Sequence, residues 1–222
     1  MKKYAIIEHC GKEFLFEDSQ ASYALSFIKD ELKRGEYHSQ GLVFQPGDVV
    51  VDIGAHVGVI STILGKFNPE IRIFAYEPLP QNYKALLKNL KRNGVTNVTA
   101  FNKGVSADGL PIEIGLCDFN TGGTSQFYDP SRTSKIEKIE TVTWSQILEE
   151  NEIKKVKLLK IDCEGAEHQI LPTIDLTQVS FLTGEFHLNK KLREEGFSYA
   201  KLYDLLLTAR VNFKVGEMEM LG

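Results

Sequence analysis

From Val49 to the C-terminus, short apolar runs alternate with amphipathic stretches, and that alternation leaves few folds open. Val49 to Ile53 is a continuous apolar run of the kind a strand buried on both faces requires. A Gly-rich turn follows, then a helix to about Lys66 and a second strand from Ile71 to Tyr76. Residues 80–92 place Tyr83, Leu86, Leu87 and Leu90 on one helical face and lysines on the other, ending at Asn93-Gly94. Val98 to Val105 is a third strand. After an interruption the pattern resumes, with strands at Val156 to Ile161, Val179 to Phe186 and Phe213 to Met218. Helices at Ala166 to Leu171 and Tyr199 to Ala209 separate them. Such a chain is expected to be α/β, with a doubly wound, mostly parallel, Rossmann-like sheet covered by helices on both faces. Ligands of these sheets bind at the carboxyl ends of the strands, where the strand order reverses.

Two stretches depart from the rhythm. Residues 3–8 and 13–17 read as a hairpin around Gly11, and residues 19–34 as a helix with Ser19 as N-cap and Gly35 just past its end. Residues 1–45 therefore form a small N-terminal β/α extension, and 46–222 the main domain. Within the domain, residues 106–143 hold β-like pieces (Pro111 to Leu116, Ile136 to Val142) around a polar loop, followed by a helix over 144–152.

The segment Val51-Asp52-Ile53-Gly54-Ala55-His56-Val57-Gly58 narrows the ligand. Its glycines are spaced GxxxG, not the GxGxxG that cradles a pyrophosphate at a helix N-terminus. That counts against a nicotinamide or flavin dinucleotide, and no GxxxxGK[ST] is present for a nucleoside triphosphate. A ligand with an adenosine part and no phosphate fits better. Asp52, ending the first strand, can meet an ammonium group. Glu77, ending the second before Pro78, can accept hydrogen bonds from both ribose hydroxyls. Each residue alone has a bland reading as a tight turn or a strand end; in order, at the ends of successive strands, they point to a binding site.

Three segments carry a family likeness: Val49-Val50-Val51-Asp52-Ile53-Gly54-Ala55-His56-Val57-Gly58, Tyr76-Glu77-Pro78-Leu79-Pro80-Gln81-Asn82-Tyr83, and Leu158-Leu159-Lys160-Ile161-Asp162-Cys163-Glu164-Gly165-Ala166-Glu167. The chain resembles the FkbM family of class I methyltransferases from about Pro46 to His187, and the third segment is the most specific. Thr121-Gly122-Gly123-Thr124-Ser125 is similar to the family's Gly/Ser stretch. The resemblance implies S-adenosyl-L-methionine as cofactor and O-methylation of a small molecule or a sugar. It implies a cofactor pocket lined by Asp52, Gly54, Ala55, His56, Gly58, Glu77, Pro78 and Asp162, with Asn102, Gly104 and Val105 flanking the adenine. The acceptor does not carry over.

A hydroxyl is a poor nucleophile until its proton leaves, so an oxygen acceptor needs a base or a metal nearby. Asp162 follows the strand Val156 to Ile161 and is the best placed base. Glu185 and His187, on one face of the next strand, complete the expected catalytic set. Asp162, Glu185 and His187 form the alternative of an oxygen-rich divalent-metal site, as in metal-assisted O-methylation; the metal-free case is favoured. Glu164 and Glu167 lie where a helix N-terminus favours negative charge anyway. His56 reads as a pocket wall, Trp144 as core, and His9, His38 and His168 as packing residues. Cys163 reads as a small buried thiol, not a nucleophile.

A net charge of −4 provides no basic field for a nucleic-acid backbone or an acidic membrane, which argues against both partners. No NPPY-like segment for an exocyclic amine is present. Cys10, Cys117 and Cys163 are far apart and odd in number, which fits a reducing compartment and no structural zinc. The apolar run Tyr4 to Ile7 is too short for a signal peptide or a membrane span, so a cytoplasmic location is expected. A cofactor-binding fold without catalysis stays open as the non-enzyme alternative. The acceptor pocket is expected from the loop 108–138 and the first 45 residues, and oligomeric state is silent.

Overall fold

The computed structural model describes residues 2–19, 22–34, 42–116, 125–127, 133 and 135–219. The N-terminal hairpin pairs β1 (Lys2–His9) with β2 (Lys12–Ser19) antiparallel, turning at Cys10 and Gly11, both with positive φ. α1 (Ala24–Arg34) starts later than the sequence suggests. Ser19 is still paired with Lys2 in the hairpin, so it cannot cap; the Ser22 hydroxyl instead accepts from the Ala24 N–H at 3.1 Å. Gly35 and His38 lie outside the described residues.

The doubly wound part begins with β3 (Val49–Ile53), α2 (Val59–Phe67), β4 (Arg72–Tyr76), α3 (Pro80–Arg92) and β5 (Val98–Phe101). The third expected strand is broken. After Phe101 the chain leaves the sheet, and β6 (Gly104–Val105) pairs with a later short strand. Next come β7 (Ile112–Leu116), β8 (Lys135–Ile139), β9 (Thr141–Val142, the partner of β6) and α4 (Trp144–Glu150). α4 has a complete capping box between Thr143 and Gln146. β10 (Val156–Ile161), α5 (Glu167–Ile170), β11 (Val179–Leu188), α6 (Lys190–Glu194), α7 (Tyr199–Ala209) and β12 (Asn212–Glu219) complete the chain. The short α6 was not anticipated; Asn189 caps it by accepting from Leu192 N–H at 2.9 Å.

The central sheet has six strands in the order β12-β11-β10-β3-β4-β5, and every pair is parallel. The chain starts at β3, winds outward through β4 and β5, then returns to lay β10 on the other side of β3 and winds outward again. The reversal therefore falls between β3 and β10, and the residues just past Ile53 and Ile161 face one crevice. All five residues of β3 are buried, the charged Asp52 among them. One core cluster joins Val51, Ile53, Leu159, Ile161, Phe186 and Trp144. The N-terminal hairpin (Ile7, Phe14, Phe16) and α1 (Leu25) dock onto Val57, Val59 and Ile63, just before and along α2. Each such side chain contributes about 1.5–3 kcal/mol when fully buried. The extension is thus anchored beside the glycine turn. Among the described residues, no helix is long and apolar enough to cross a membrane.

Candidate active site

The turn after β3 is set by conformation first. Gly54 has φ +77, and a Cβ there would lie 1.9 Å from the Asp162 carbonyl oxygen. Gly58, at φ +81, starts α2, and its missing side chain makes room for Leu86 of α3. The space both glycines free is thus occupied by the protein's own atoms, which bring β3, β10 and α3 together at the crevice. His56 also has a positive φ of 51, and this turns its N–H onto the Glu77 carboxylate at 2.8 Å.

Glu77 is buried at the end of β4. Its Oε2 accepts from His56 N–H, and its Oε1 accepts from Leu79 N–H at 3.0 Å and from the Asn82 amide at 3.3 Å. Burial pushes its pKa up to about 7, against the pull of those donors and of Lys160. Asn102 donates to the Glu77 and Pro78 carbonyls at 3.0 and 2.8 Å, so it braces the turn that carries Glu77. Gly104 and Val105 are buried behind it, with Gly104 against Thr141 and Pro78. Ala55 is buried, its N–H donating to the Tyr76 carbonyl.

Asp52 is 1% exposed, and the ammonium group it meets is the chain's own. Lys160 stands directly across from it on β10, with Nζ 3.3 Å from Asp52 Oδ1 and 3.5 Å from Asp162 Oδ2. The same Nζ donates to the Gly54 carbonyl at 2.6 Å, and Ser61 of α2 donates to Asp52 Oδ2 at 2.6 Å. Burial alone lowers the Lys160 pKa, but the charges of Asp52 and Asp162 outweigh it and hold the amine above its usual value. Lys160 ties the two strands at the reversal point. Nothing in the sequence pattern marked it except its place: a lysine next to the end of a buried strand whose other lysine, Lys157, is partly exposed.

The acidic residues expected after β10 and β11 do come together. His187 Nε2 lies 3.9 Å from Asp162 Oδ1, 3.9 Å from Glu164 Oε2 and 3.6 Å from Glu185 Oε2. On its other side His187 Nδ1 is 3.2 Å from Glu167 Oε1. Burial lowers the pKa of His187, but the surrounding carboxylates, Glu164 and Glu167 foremost, raise it well above the usual imidazole value. Burial brings Glu164 up to about 7, and the charge of Glu31 on α1 adds to that effect.

Asp162, Glu167 and His187 offer ligand atoms within 4.8 Å of one another. The expected metal alternative had Glu185 in place of Glu167. In this trio, Glu167 and His187 Nδ1 are at hydrogen-bond distance from each other. Cys163 is partly buried and burial pushes its thiol pKa well up, as a non-nucleophilic cysteine requires. His168 is buried and has a partner the sequence did not reveal: its Nε2 is 2.9 Å from the His187 carbonyl. Ser125, the described end of the Gly/Ser stretch, donates to the Glu164 carbonyl at 2.5 Å; residues 121–124 lie outside the described residues.

A parallel sheet that reverses between β3 and β10, with carboxylates and no phosphate cradle at the crevice, is the architecture of the class I methyltransferases. The chain belongs to the FkbM methyltransferase family: the model of the Methyltransferase FkbM domain matches residues 52–215, so the chain is an enzyme of the methyltransferase class. It is 22% identical to Methyltransferase 1 of Beauveria bassiana, over 71% of this chain and 75% of that protein. It is 26% identical to the 31-O-demethyl-FK506 methyltransferase FkbM of Streptomyces tacrolimicus, over 63% of this chain and 64% of that one. With the hexuronic acid methyltransferase AglP of Haloferax volcanii the figures are 28%, 63% and 56%. The chain thus spans between about half and three quarters of the length of these relatives.

Proposed function

We propose that this chain transfers a methyl group from S-adenosylmethionine to a hydroxyl on a small molecule or a sugar, in the cytoplasm and without a metal ion. The observation that carries the cofactor assignment is Glu77. Its carboxylate is fixed by three N–H donors at the end of β4; Oε2 keeps an acceptor site for one ribose hydroxyl, and Oε1 takes the other in place of its long 3.3 Å bond from Asn82. The donor set fits the group: a neutral diol needs paired acceptors, and the turn lacks the phosphate cradle a dinucleotide needs.

S-adenosylmethionine supplies an electrophilic methyl group on a sulfonium. Glu77 accepts its ribose hydroxyls. The turn Gly54, Ala55, His56 and Gly58 forms the wall beside it. Pro78, Asn102, Gly104 and Val105 shape the adenine side. Asp52 acts through Lys160, which holds Asp162 at the methyl end. Asp162 takes the acceptor's proton, and Glu185 and His187 orient the acceptor by hydrogen bonds. The loop 108–138 and the first 45 residues supply the acceptor pocket. The name of the Streptomyces relative specifies an O-demethylated substrate and supports a hydroxyl acceptor; that of the Haloferax relative specifies a hexuronic acid, which carries a carboxylate beside its hydroxyls, and supports a sugar acceptor.

Calorimetric titration tests the cofactor assignment. S-adenosylhomocysteine should bind, and Glu77→Ala should weaken it by about 1.5–3 kcal/mol through loss of charge-assisted hydrogen bonds. Tight binding of NADH with no binding of S-adenosylhomocysteine would sink the proposal.

A further inference from the structure

Glu167 lies five residues beyond Asp162, at the first position of α5, and it is completely buried. A carboxylate at the start of a short helix has an ordinary use there, accepting free backbone N–H groups. Glu167 does this: Oε1 accepts from Cys163 N–H at 2.7 Å and Oε2 from Gly165 N–H at 2.9 Å. Those bonds fully account for a helix-start role. They do not account for two further contacts, both to a residue 20 positions away on β11. Oε1 is 3.2 Å from His187 Nδ1, and Oε2 accepts from the His187 backbone N–H at 3.4 Å.

We propose that Glu167 is a positioning residue for His187: it accepts the Nδ1–H of the ring and so presents Nε2 to Asp162, Glu164 and Glu185, on the acceptor side. The imidazole has two nitrogens, and the partner of one decides what the other offers. With Nδ1–H held by Glu167, the ring is fixed with Nε2 3.6–3.9 Å from three carboxylates, in reach of an acceptor hydroxyl placed among them. Two further holds stop the ring from drifting. The His187 backbone N–H is tied to Glu167, and its carbonyl is 2.9 Å from His168 Nε2. Glu167 therefore joins the turn after β10, which carries Asp162, to the end of β11, which carries Glu185 and His187. One side chain sets the spacing of the two halves of the acceptor site.

The role rests on placing His187 at the acceptor end, yet it is testable without a known acceptor or cofactor. The full chain, labelled with ¹⁵N in its histidine rings, is compared with Glu167→Gln, Asp162→Asn and Glu185→Gln by NMR. In the unsubstituted protein His187 Nδ1 should carry a proton across the neutral pH range, its proton signal displaced downfield by the bond to Glu167. Glu167→Gln should move the Nδ1 signal most; Asp162→Asn and Glu185→Gln should move Nε2 and leave Nδ1 nearly unchanged. An unprotonated Nδ1 in the unsubstituted protein, or the two nitrogens responding in the opposite sense, overturns the proposal. That first readout stands even if Glu167→Gln does not fold. Failure of S-adenosylhomocysteine to bind would overturn the cofactor assignment and leave this result intact.

Discussion

The two sides of the crevice are built from the same residue type and use it in opposite ways. On the β3–β4 side each carboxylate is held by donors of the protein: Asp52 by Ser61 and Lys160, Glu77 by His56, Leu79 and Asn82. On the β10–β11 side, Asp162, Glu164 and Glu185 surround one imidazole nitrogen at 3.6–3.9 Å, beyond hydrogen-bond length, and Asp162 also meets Lys160 Nζ at 3.5 Å. The first arrangement is rigid and preorganised for a ligand of fixed shape. The second gathers carboxylates around one imidazole nitrogen, where the proposed acceptor hydroxyl would sit. Under the proposed function the first side takes the cofactor and the second the acceptor.

Breaking the shared hinge should have the largest effect. Gly54→Ala forces a Cβ to within 1.9 Å of the Asp162 carbonyl at a positive φ. Left-handed strain and overpacking together should cost about 3 kcal/mol or more, read as a lower midpoint in thermal or urea unfolding. A variant of unchanged stability would show that the two ends are not fastened there.

Asp162→Asn should separate the ends. Turnover should fall at least about a hundredfold, the scale of losing a general base, while S-adenosylhomocysteine affinity changes little. Near-normal turnover in this variant rules out the base assignment; an equal loss of affinity would mean the two sides are one site.

A smaller effect comes from pH. The Glu77 pKa stands at about 7, raised by burial from 4.5, and ribose hydroxyls donate to its ionised form. Binding must therefore pull a proton off Glu77 at lower pH. Affinity should be full above pH 7 and fall as pH drops through 7, by up to about tenfold per pH unit. Calorimetry across pH 5.5–8.5, a range of about three units around the midpoint, checks the sign. Affinity that rises toward acid contradicts it. Chelator should have the smallest effect, none at all. Turnover lost to chelator and restored by magnesium or manganese would instead place a divalent ion among Asp162, Glu167 and His187.

Much of the β3–β4 side was legible in the sequence, because strand ends in a parallel sheet are marked by local pattern. The run Val49 to Ile53, the glycines and Glu77-Pro78 announce their places through burial and turn chemistry alone. The acids after β10 were equally visible, since they follow an apolar strand directly. What escaped depends on neighbours far apart in the chain. Lys160 reads as a defect in a buried strand until Asp52 is set across from it. Glu167 and His168 read as helix-start and packing residues until β11 brings His187 between them. The break of the third strand after Phe101 depends on β9, 40 residues later, claiming Gly104 and Val105. Ser19 looked like a cap because capping signals are local, whereas its pairing with Lys2 is not.

The most direct measurement is a crystal structure of the chain with S-adenosylhomocysteine. The ribose hydroxyls should rest on Glu77, and the sulfur should face Asp162, with Glu185 and His187 beyond it. A nucleoside seated away from Glu77, or a sulfur directed away from Asp162, would contradict the division of the crevice into a cofactor side and an acceptor side.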